Sequence, residues 1–379
     1  MKKLLAIALA LTLVCSMGLA LADDQITLRI AHIGPSTGGA ALYGLATLHG
    51  AEIAVQEINE QNGKYKIELI NEDDEHNVEK VINAYNAALD AEAQMILGST
   101  TSKPCEAAAA QGYLDRVFFL TPSASSPEVT ADKDNVYQVC FNDPNQGRAS
   151  AQYIAGSSLG TKIAIIYNNA DVYSTGIRDT FVEEAAKLNL EIVSETTFTD
   201  ETTDFTVQVA DAQNAGAEIV FLPMYYTPAS MILQVAASKQ YKPYFFGVDG
   251  MDGILNIDGF DKSLAEGVLL LTPFVASAQD EKTVNFVTKY VAAYGETPIQ
   301  FAADAYDGIY IMLAAAEKAG ITGDMDETEV CEKMIEAMQD LTFSGLTGEM
   351  TWDASGAVDK TPMAMQIVNG VYELFEGKK

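Results

Sequence analysis

The stretch QMILGSTTSKPCEAAAA, residues 94–110, decides how the chain folds. Its first residues are mostly apolar and form a run too short for a helix, so they predict a buried strand at 94–97. Gly98 and four hydroxyl residues follow as a loop, and the alanine-rich run after Pro104 predicts a helix at 106–114. Strand, loop and helix in this order form the repeating unit of a parallel β-sheet.

The same alternation continues along the chain in both directions. Short β-branched or apolar runs predict further strands at 27–33, 66–71, 117–120, 162–167, 191–197, 218–222, 244–247 and 267–270. Helical periodicity predicts helices at 41–59, 78–89, 146–159, 175–188, 205–215, 229–239, 283–294, 302–319 and 327–338. A loop at 121–134 divides the strands into two groups. We therefore predict an α/β fold with two doubly wound parallel-sheet lobes and a ligand cleft between them.

The composition excludes one large class of partners. The chain has 379 residues, of which 48% are hydrophobic and 20% charged, and this suits about two folded domains. Its 53 acidic and 23 basic residues give a formal charge of -30, with no stripe rich in lysine or arginine. Such a charge repels phosphate backbones, so we expect no nucleic acid as a partner.

The N-terminal segment has the pattern of an export signal. Two lysines precede an uncharged run at 4–21, which ends in small residues before Asp23. This pattern predicts a signal peptide at 1–22 and a periplasmic or extracellular mature protein. A retained membrane anchor and lipidation at Cys15 are the less favoured alternatives, because the run is short for a span and Val14 is unusual before a lipidated cysteine.

The cysteines and histidines form no metal motif. Cys105, Cys140 and Cys331 remain after the predicted cleavage, and whether Cys105 and Cys140 pair stays open. With no CxxC spacing and only three histidines, we expect neither a metal nor another cofactor. The acidic run at 72–76 could gather a divalent cation, but runs of like charge are more often solvated.

The sequence gives little support for an enzyme. The pattern G-x-S-x-G at 156–160 needs a strand before its serine and a helix after it, whereas here a helix precedes it and a strand follows. We therefore interpret this segment as a helix stop. No P-loop is present, and no G-x-G-x-x-G follows a strand. A hydrolase or amidase that uses Ser102 remains a distant alternative.

Polar loops follow two predicted strands of the first half. Ser102 lies in the loop after 94–97, and Ser123 and Ser125 lie in the loop after 117–120. Hydroxyls and free backbone N–H groups at the start of a helix suit a carboxylate. Each serine alone could be a helix cap, but together they predict half of a ligand site.

The second half supplies side chains of complementary chemistry. Tyr173, Tyr225 and Asp249 also follow predicted strands. An ionised Asp249 would bind an ammonium group, and the tyrosines would close over the ligand. The two halves together predict a site for a free amino acid.

Several motifs occur in an order that points to one family. They are IGP at 33–35, Tyr43-Gly44, GAE at 50–52, EIN at 57–59, Asp73-Asp74, ILG at 96–98, TPSAS at 121–125, GVD at 247–249 and TWD at 351–353 with Gly356. In this combination the chain resembles the periplasmic leucine/isoleucine/valine-binding proteins, the receptors of branched-chain amino-acid ABC importers. The resemblance covers essentially the whole mature chain.

The resemblance implies the type 1 periplasmic-binding-protein fold, whose lobes are joined by a three-segment hinge. The three crossings are expected near 142–145, 271–274 and 341–348. The implied lobes are 23–143 plus 273–345 for the N-terminal lobe and 144–272 plus 346–379 for the C-terminal lobe. An ABC permease in the membrane is the implied partner, and we expect a monomer because the acidic surface keeps copies apart.

The resemblance also assigns roles to residues of this sequence. Ser102, Ser125 and the backbone at Ser123 would hold the ligand's carboxylate. Asp249 would hold its ammonium group, helped by Ser123 or Tyr225. Candidates near the ligand's side chain are Tyr43, Thr100, Thr101, Tyr173 and Phe301.

Two departures from the family pattern leave the preferred amino acid open. Asp249 stands where the branched-chain receptors commonly have Glu, and Ser125 where they often have Thr. The shorter acid changes how far the lobes must close, or how deep the ligand must sit. The disulfide of some members is also absent, since His76 and Thr101 occupy the corresponding places.

We therefore expect an exported solute-binding protein of an ABC importer that closes two lobes over a free amino acid of the aliphatic, branched-chain class. The alternative is a ligand-sensing receptor for another small amino acid, amide or related solute, not coupled to transport. Genomic neighbours that encode permease and ATPase subunits would separate these two functions.

Overall fold

The computed structural model describes residues 25–375 of the chain. Its strands are β1 (Ile26–Gly34), β2 (Tyr65–Asp73), β3 (Met95–Gly98), β4 (Phe118–Thr121), β5 (Val136–Gln138), β6 (Lys162–Asn168), β7 (Glu191–Phe198), β8 (Ile219–Leu222), β9 (Tyr244–Gly247), β10 (Leu269–Thr272), β11 (Thr342–Gly345), β12 (Gly348–Thr351), β13 (Met363–Val368) and β14 (Val371–Leu374). Its helices are α1 (Ala41–Glu60), α2 (Val78–Asp90), α3 (Ser102–Asp115), α4 (Asp143–Gly156), α5 (Val172–Lys187), α6 (Thr206–Asn214), α7 (Tyr226–Ser238), α8 (Glu281–Tyr294), α9 (Gln300–Ala319) and α10 (Glu327–Met338). The predicted signal peptide and Cys15 lie outside the described residues.

The first lobe is built on a five-stranded sheet in the order β2–β1–β3–β4–β5, in which every pair is parallel. Alternate residues of β1 face two helical layers. Leu28 and Ile30 pack with α1, α9 and α10, whereas Ala31 and Ile33 pack with α2 and α3. Every residue of β3 and β4 is buried, because helices cover both faces of this sheet.

The second lobe is built on a seven-stranded sheet in the order β14–β13–β10–β9–β8–β6–β7. Strands β6 to β10 are parallel, and β13 and β14 form an antiparallel edge. Phe181 of α5 stacks on Phe221 of β8, with ring centroids 4.0 Å apart. The predicted α/β fold with two doubly wound parallel sheets is confirmed.

The chain passes between the lobes three times. The first crossing lies between β5 of the first lobe and α4 of the second lobe. The second crossing lies between β10 of the second lobe and α8, which packs against α1 of the first lobe. The third crossing differs from the expectation of 341–348, because that segment forms the β11–β12 hairpin. The chain remains on the first lobe beyond the hairpin: Trp352 and Val358 lie in that lobe's core, and Trp352 Nε1 donates to Gln138 O at 2.8 Å. It joins the second sheet only at Met363, and the lobe boundaries as a whole stay a prediction.

Two of the elements that differ from the sequence prediction lie in the first lobe beside the polar loops. The sequence predicts no strand at 136–138, because three residues are too few to reveal an alternating pattern, but β5 forms there and pairs in parallel with β4. Helix α3 begins at Ser102 rather than at 106, since Pro104 is tolerated in the first turn of a helix. The earlier start of α3 matters for the site, because it gives Ser102 the first helical position.

The cysteines of the described residues contribute no cross-link. Cys105, Cys140 and Cys331 are buried and unpaired, which answers the open question of a Cys105–Cys140 disulfide for this structure. Between residues 25 and 375, no helix combines the length and the apolar character that crossing a membrane requires.

Candidate functional site

The hydroxyl of Ser102 joins the two polar loops of the first lobe. Ser102 is the first residue of α3, and its Oγ accepts the N–H groups of Ser125 and Ser126 at 3.1 and 3.3 Å. The loop after β3 and the loop after β4 are thereby held together. The hydroxyl hydrogen of Ser102 is still free to donate to a ligand at the N-terminus of α3.

Three further side chains fix the shape of these loops. Ser123 Oγ donates to Thr100 O at 2.6 Å, and Thr121 Oγ1 donates to Ser99 O at 2.8 Å. Thr101 Oγ1 lies 2.8 Å from Nδ1 of His76. Because the two loops bond to each other, their shape is fixed before a ligand arrives.

From the second lobe, Tyr173 and Tyr225 frame the carboxylate of Asp249. Tyr173 lies in the first turn of α5, and its hydroxyl donates to Asp249 Oδ1 at 2.6 Å. The rings of Tyr173 and Tyr225 stack with centroids 4.8 Å apart. Gln146 of α4 accepts the N–H of Asp249 at 3.2 Å, and Gly250 N donates to the Tyr173 hydroxyl at 2.9 Å.

Asp249 is the charged group that lines the cleft. It is 2% exposed, and burial raises the pKa of its carboxyl to about 7, against the opposing effect of the Tyr173 hydroxyl and the Gly250 N–H. A carboxyl of this kind is readily ionised by a nearby cation, because the cation replaces the water that burial removed. The arrangement can therefore bind an ammonium group.

Tyr43 connects the two lobes across the cleft. It belongs to α1, and its hydroxyl donates to Gly250 O and accepts the N–H of Tyr226 at 3.1 Å. Its ring meets Tyr225 and Phe301 edge to face, with centroids 5.4 and 4.9 Å apart. In this arrangement the lobes are closed, and the lining side chains leave enclosed room for about one water molecule.

The structure brings most of the predicted site residues to this one cleft. Its lining includes Tyr43, Thr100, Thr101, Ser102, Ser123, Tyr173, Tyr225, Asp249 and Phe301. Ser125 does not line the cleft directly; its backbone N–H bonds to Ser102, and its hydroxyl is buried without a partner among the described residues. What each of these residues binds stays a prediction.

Sequence reasoning missed three contributors to the site. Gly250 lines the cleft with its backbone, Gln146 positions Asp249, and the buried carboxyl of Asp143 lies near both lobes. Asp143 and Gln146 lie in the first turn of α4 in the spacing D-x-x-Q, after the loop that follows β5. From the sequence, this segment is expected only as a crossing between the lobes.

The two other motifs serve local structure. In the acidic run at 72–76, Asp73 accepts the N–H of Glu75 at 2.8 Å, and Asp74 accepts the N–H of His76 at 2.8 Å. Within the described part of the chain, no three His, Cys, Asp or Glu side chains are grouped as metal ligands. Ser157 ends α4 with its hydroxyl donating to Ile154 O at 3.0 Å, in keeping with a helix stop.

The sequence and the fold of the chain are similar to those of known proteins. A sequence model of the family described as periplasmic binding protein matches residues 27–371. The leucine-, isoleucine-, valine-, threonine- and alanine-binding protein of Pseudomonas aeruginosa is 25% identical over 336 residues, which cover 87% of each chain.

Solved structures resemble this fold closely. A branched-chain amino acid transporter substrate-binding protein from Streptococcus pneumoniae, in complex with isoleucine, has a TM-score of 0.83 at 26% identity, with 92% of this chain and 99% of that chain covered. A solute-binding protein from R. palustris in complex with benzoate has a TM-score of 0.81 at 20% identity, with 92% and 95% covered. The second likeness is one of fold alone.

Proposed function

The chain belongs to the periplasmic binding protein family, and from this premise we propose that it captures a free aliphatic amino acid in the cleft between its lobes. The resemblance seen in the sequence is confirmed by this membership, and with it the type 1 periplasmic-binding-protein fold. The family consists of solute-binding proteins, so the expectation that the chain is not an enzyme is also confirmed.

One observation carries the proposal: a buried carboxyl faces uncharged hydroxyl loops across the cleft. Asp249 comes from the second lobe, whereas Ser102 and Ser123 come from the first. A zwitterion complements this arrangement, with its ammonium group toward Asp249 and its carboxylate toward Ser102 and the N–H groups at the start of α3. A ligand with a carboxylate alone would leave Asp249 without a cation.

The aromatic wall of the cleft favours an apolar side chain. Tyr43, Tyr225 and Phe301 lie beside the hydroxyl loops and bring large rings to the lining. Burial against such rings stabilises an aliphatic group. The isoleucine bound to the Streptococcus pneumoniae protein and the name of the Pseudomonas aeruginosa relative support the same ligand class.

The mechanism is closure stabilised by the ligand. Because the closed cleft has enclosed room for about one water molecule, the lobes separate to admit an amino acid. Groups from both lobes then contact the same molecule, so the closed liganded form gains binding energy that the open form lacks. No covalent bond is made or broken.

We further propose that the mature protein begins after residue 22, acts outside the cytoplasmic membrane as a monomer and passes its ligand to an ABC permease. The Streptococcus pneumoniae protein serves a branched-chain amino acid transporter, which supports the permease. The excess of 53 acidic over 23 basic residues supports the monomer. A sensor would use the same closure without a permease.

A thermal-shift screen tests the ligand class. Protein lacking residues 1–22, unfolded and refolded to remove bound solute, is mixed with the common amino acids, small amides, polyamines and benzoate. A ligand that binds the folded state raises the midpoint of unfolding. We expect shifts with leucine, isoleucine or valine, and none with benzoate.

Variants of the lining separate the two ends of the ligand. Asp249→Ala should weaken binding by about 2 kcal/mol or more, because it leaves the ammonium group unpaired. Ser102→Ala combined with Ser125→Ala should abolish the thermal shift. The control is Ser157→Ala, which removes a buried hydroxyl at the far end of α4 and should preserve the shift. Silence from every amino acid, or full binding by the double variant, contradicts the proposal.

A further inference from the structure

The carboxyl of Asp143 is buried without a hydrogen-bond partner of good geometry. It is 0% exposed, and neither of its oxygens has a well-aligned donor among the described residues. Burying a carboxyl without hydrogen bonds costs free energy. An unpaired polar group inside a folded protein therefore indicates a position that a ligand or a water molecule can occupy. Burial raises the pKa of Asp143 well above its ordinary value.

Asp143 lies at the junction of the two lobes. It begins α4, and its backbone N–H donates to Ser125 O of the first lobe at 3.0 Å. Its carboxyl faces Gly176 of α5, where a Cβ atom would lie 3.5 Å from Asp143 Oδ2. Gly176 is about one helical turn beyond Tyr173, whose hydroxyl bonds to Asp249.

Asp143 and Asp249 are connected on a second side as well. Gln146, one turn along α4 from Asp143, accepts the backbone N–H of Asp249 at 3.2 Å. The charged groups that act on Asp143 are Asp249 and Asp171, which are both carboxyls. Acidic side chains are therefore collected around the Asp143 carboxyl. No lysine or arginine is among the described charged groups that shift the pKa of Asp143.

The hydroxyl of Ser125 completes a set of acceptors. It lies beside the Asp143 carboxyl and lowers the pKa of that group, yet Ser125 Oγ also has no hydrogen-bond partner of good geometry in the described chain. An ammonium group has three N–H donors. Asp249, Asp143 and Ser125 offer one acceptor side chain for each donor.

We propose that Asp143 is a second carboxylate acceptor for the ammonium group of the ligand, which is then held between Asp143 and Asp249. This inference rests on the proposed function and adds a requirement to it: the ligand must carry a primary ammonium group. Ser125 serves the ammonium end of the ligand in this arrangement, rather than the carboxylate end assigned from the sequence.

Calorimetry on the refolded full mature chain tests the inference. The titrant is the amino acid with the largest thermal shift, L-leucine in the simplest case, and the proteins are wild type, Asp143→Asn and Ser150→Ala. Ser150 is a buried serine of the same helix and controls for disturbance of α4. We expect Asp143→Asn to raise Kd at least about tenfold and Ser150→Ala to leave it unchanged.

Proton release supplies a readout that a merely structural role would not change. An ammonium group that enters beside two carboxyls whose pKa values burial has raised favours their ionised form and displaces protons, so titrations in two buffers of different ionisation enthalpy give the number released per ligand. We expect Asp143→Asn to release fewer protons than wild type. The same affinity and the same proton release in Asp143→Asn overturn the inference while the proposed function stands.

A measurement on the wild-type protein covers the case in which Asp143→Asn does not fold. N-methyl-L-leucine lacks one of the ammonium hydrogens that three acceptors require, and it should bind at least about tenfold more weakly than L-leucine. Equal affinities overturn the inference. Wild-type protein that binds no amino acid at all refutes the proposed function, and the inference with it.

Discussion

Replacing His32 should change how the stability of the protein depends on pH. His32 lies on β1, is 0% exposed, and has its ring nitrogens 2.8 Å from Asn71 Oδ1 and from Thr47 Oγ1. Thr47 is in turn 3.0 Å from the hydroxyl of Thr100, which lines the cleft. Burial lowers the pKa of His32 from 6.5 to about 4, so the folded protein keeps the ring neutral.

The magnitude follows from the difference between the two pKa values. The folded state disfavours the charged ring, so the contribution of His32 is complete above pH 6.5 and is lost as the pH falls toward 4. A difference of about 2.5 between the pKa values corresponds to ~3 kcal/mol of unfolding free energy. About 2 kcal/mol of this is lost between neutral pH and about pH 4.5.

Urea unfolding followed by circular dichroism measures the effect in wild type and in His32→Gln. We expect wild type to lose about 2 kcal/mol more than the variant on acidification. The buried carboxyls, such as Asp249 and Asp252, titrate in both proteins and cancel in the comparison. His49→Gln is the control, since His49 is only half-buried. Equal losses of stability in wild type and His32→Gln would refute the reasoning.

Two further predictions concern contacts between distant parts of the chain. Tyr43→Phe removes a hydroxyl that bonds to two backbone groups of the second lobe, and leaving each group unsatisfied costs ~1–3 kcal/mol in the closed form. The closed form is thereby destabilised, so the radius of gyration of the ligand-free protein, measured by X-ray scattering, should rise. Tyr85→Phe, whose hydroxyl bonds within the first lobe, should not change that radius, and equal radii for all three proteins contradict the prediction. Lys360→Met should lower the free energy of unfolding by about 3 kcal/mol or more, because it leaves Asp304 without its ion-pair partner at 2.8 Å. Urea unfolding checks this loss, which Asp304→Asn in the same chain should partly restore; a single variant as stable as wild type would contradict it.

Elements with strong periodicity were predictable from the sequence alone. The strand expected at 244–247 and the helix expected at 327–338 coincide with β9 and α10. The third crossing was not predictable in this way, because it depends on Trp352 bonding to Gln138, 214 residues earlier in the chain. Local pattern carries no information about such a pairing.

The same distinction applies to the site. Ser102, Ser123 and Asp249 follow parallel strands, whose carboxyl ends meet at one edge of a sheet, so their convergence could be expected. Asp143 and Gln146 instead lie in the first turn of a helix, where Gln146 accepts the N–H of Asp249. Their direction is set by the packing of α4 against α5, which the spacing of residues in the sequence does not reveal.

The first lobe is completed by the far end of the chain, and this affects the order of folding during synthesis. Its sheet ends at Gln138, but α9, which covers one face of that sheet, begins only at Gln300. Until those later residues leave the ribosome, Leu28 and Ile30 have only α1 of their helical layer to pack against, without α9 and α10. All parallel strands of the second lobe are complete by Thr272. We therefore expect the second lobe to fold first and the lobe that is synthesised first to fold last.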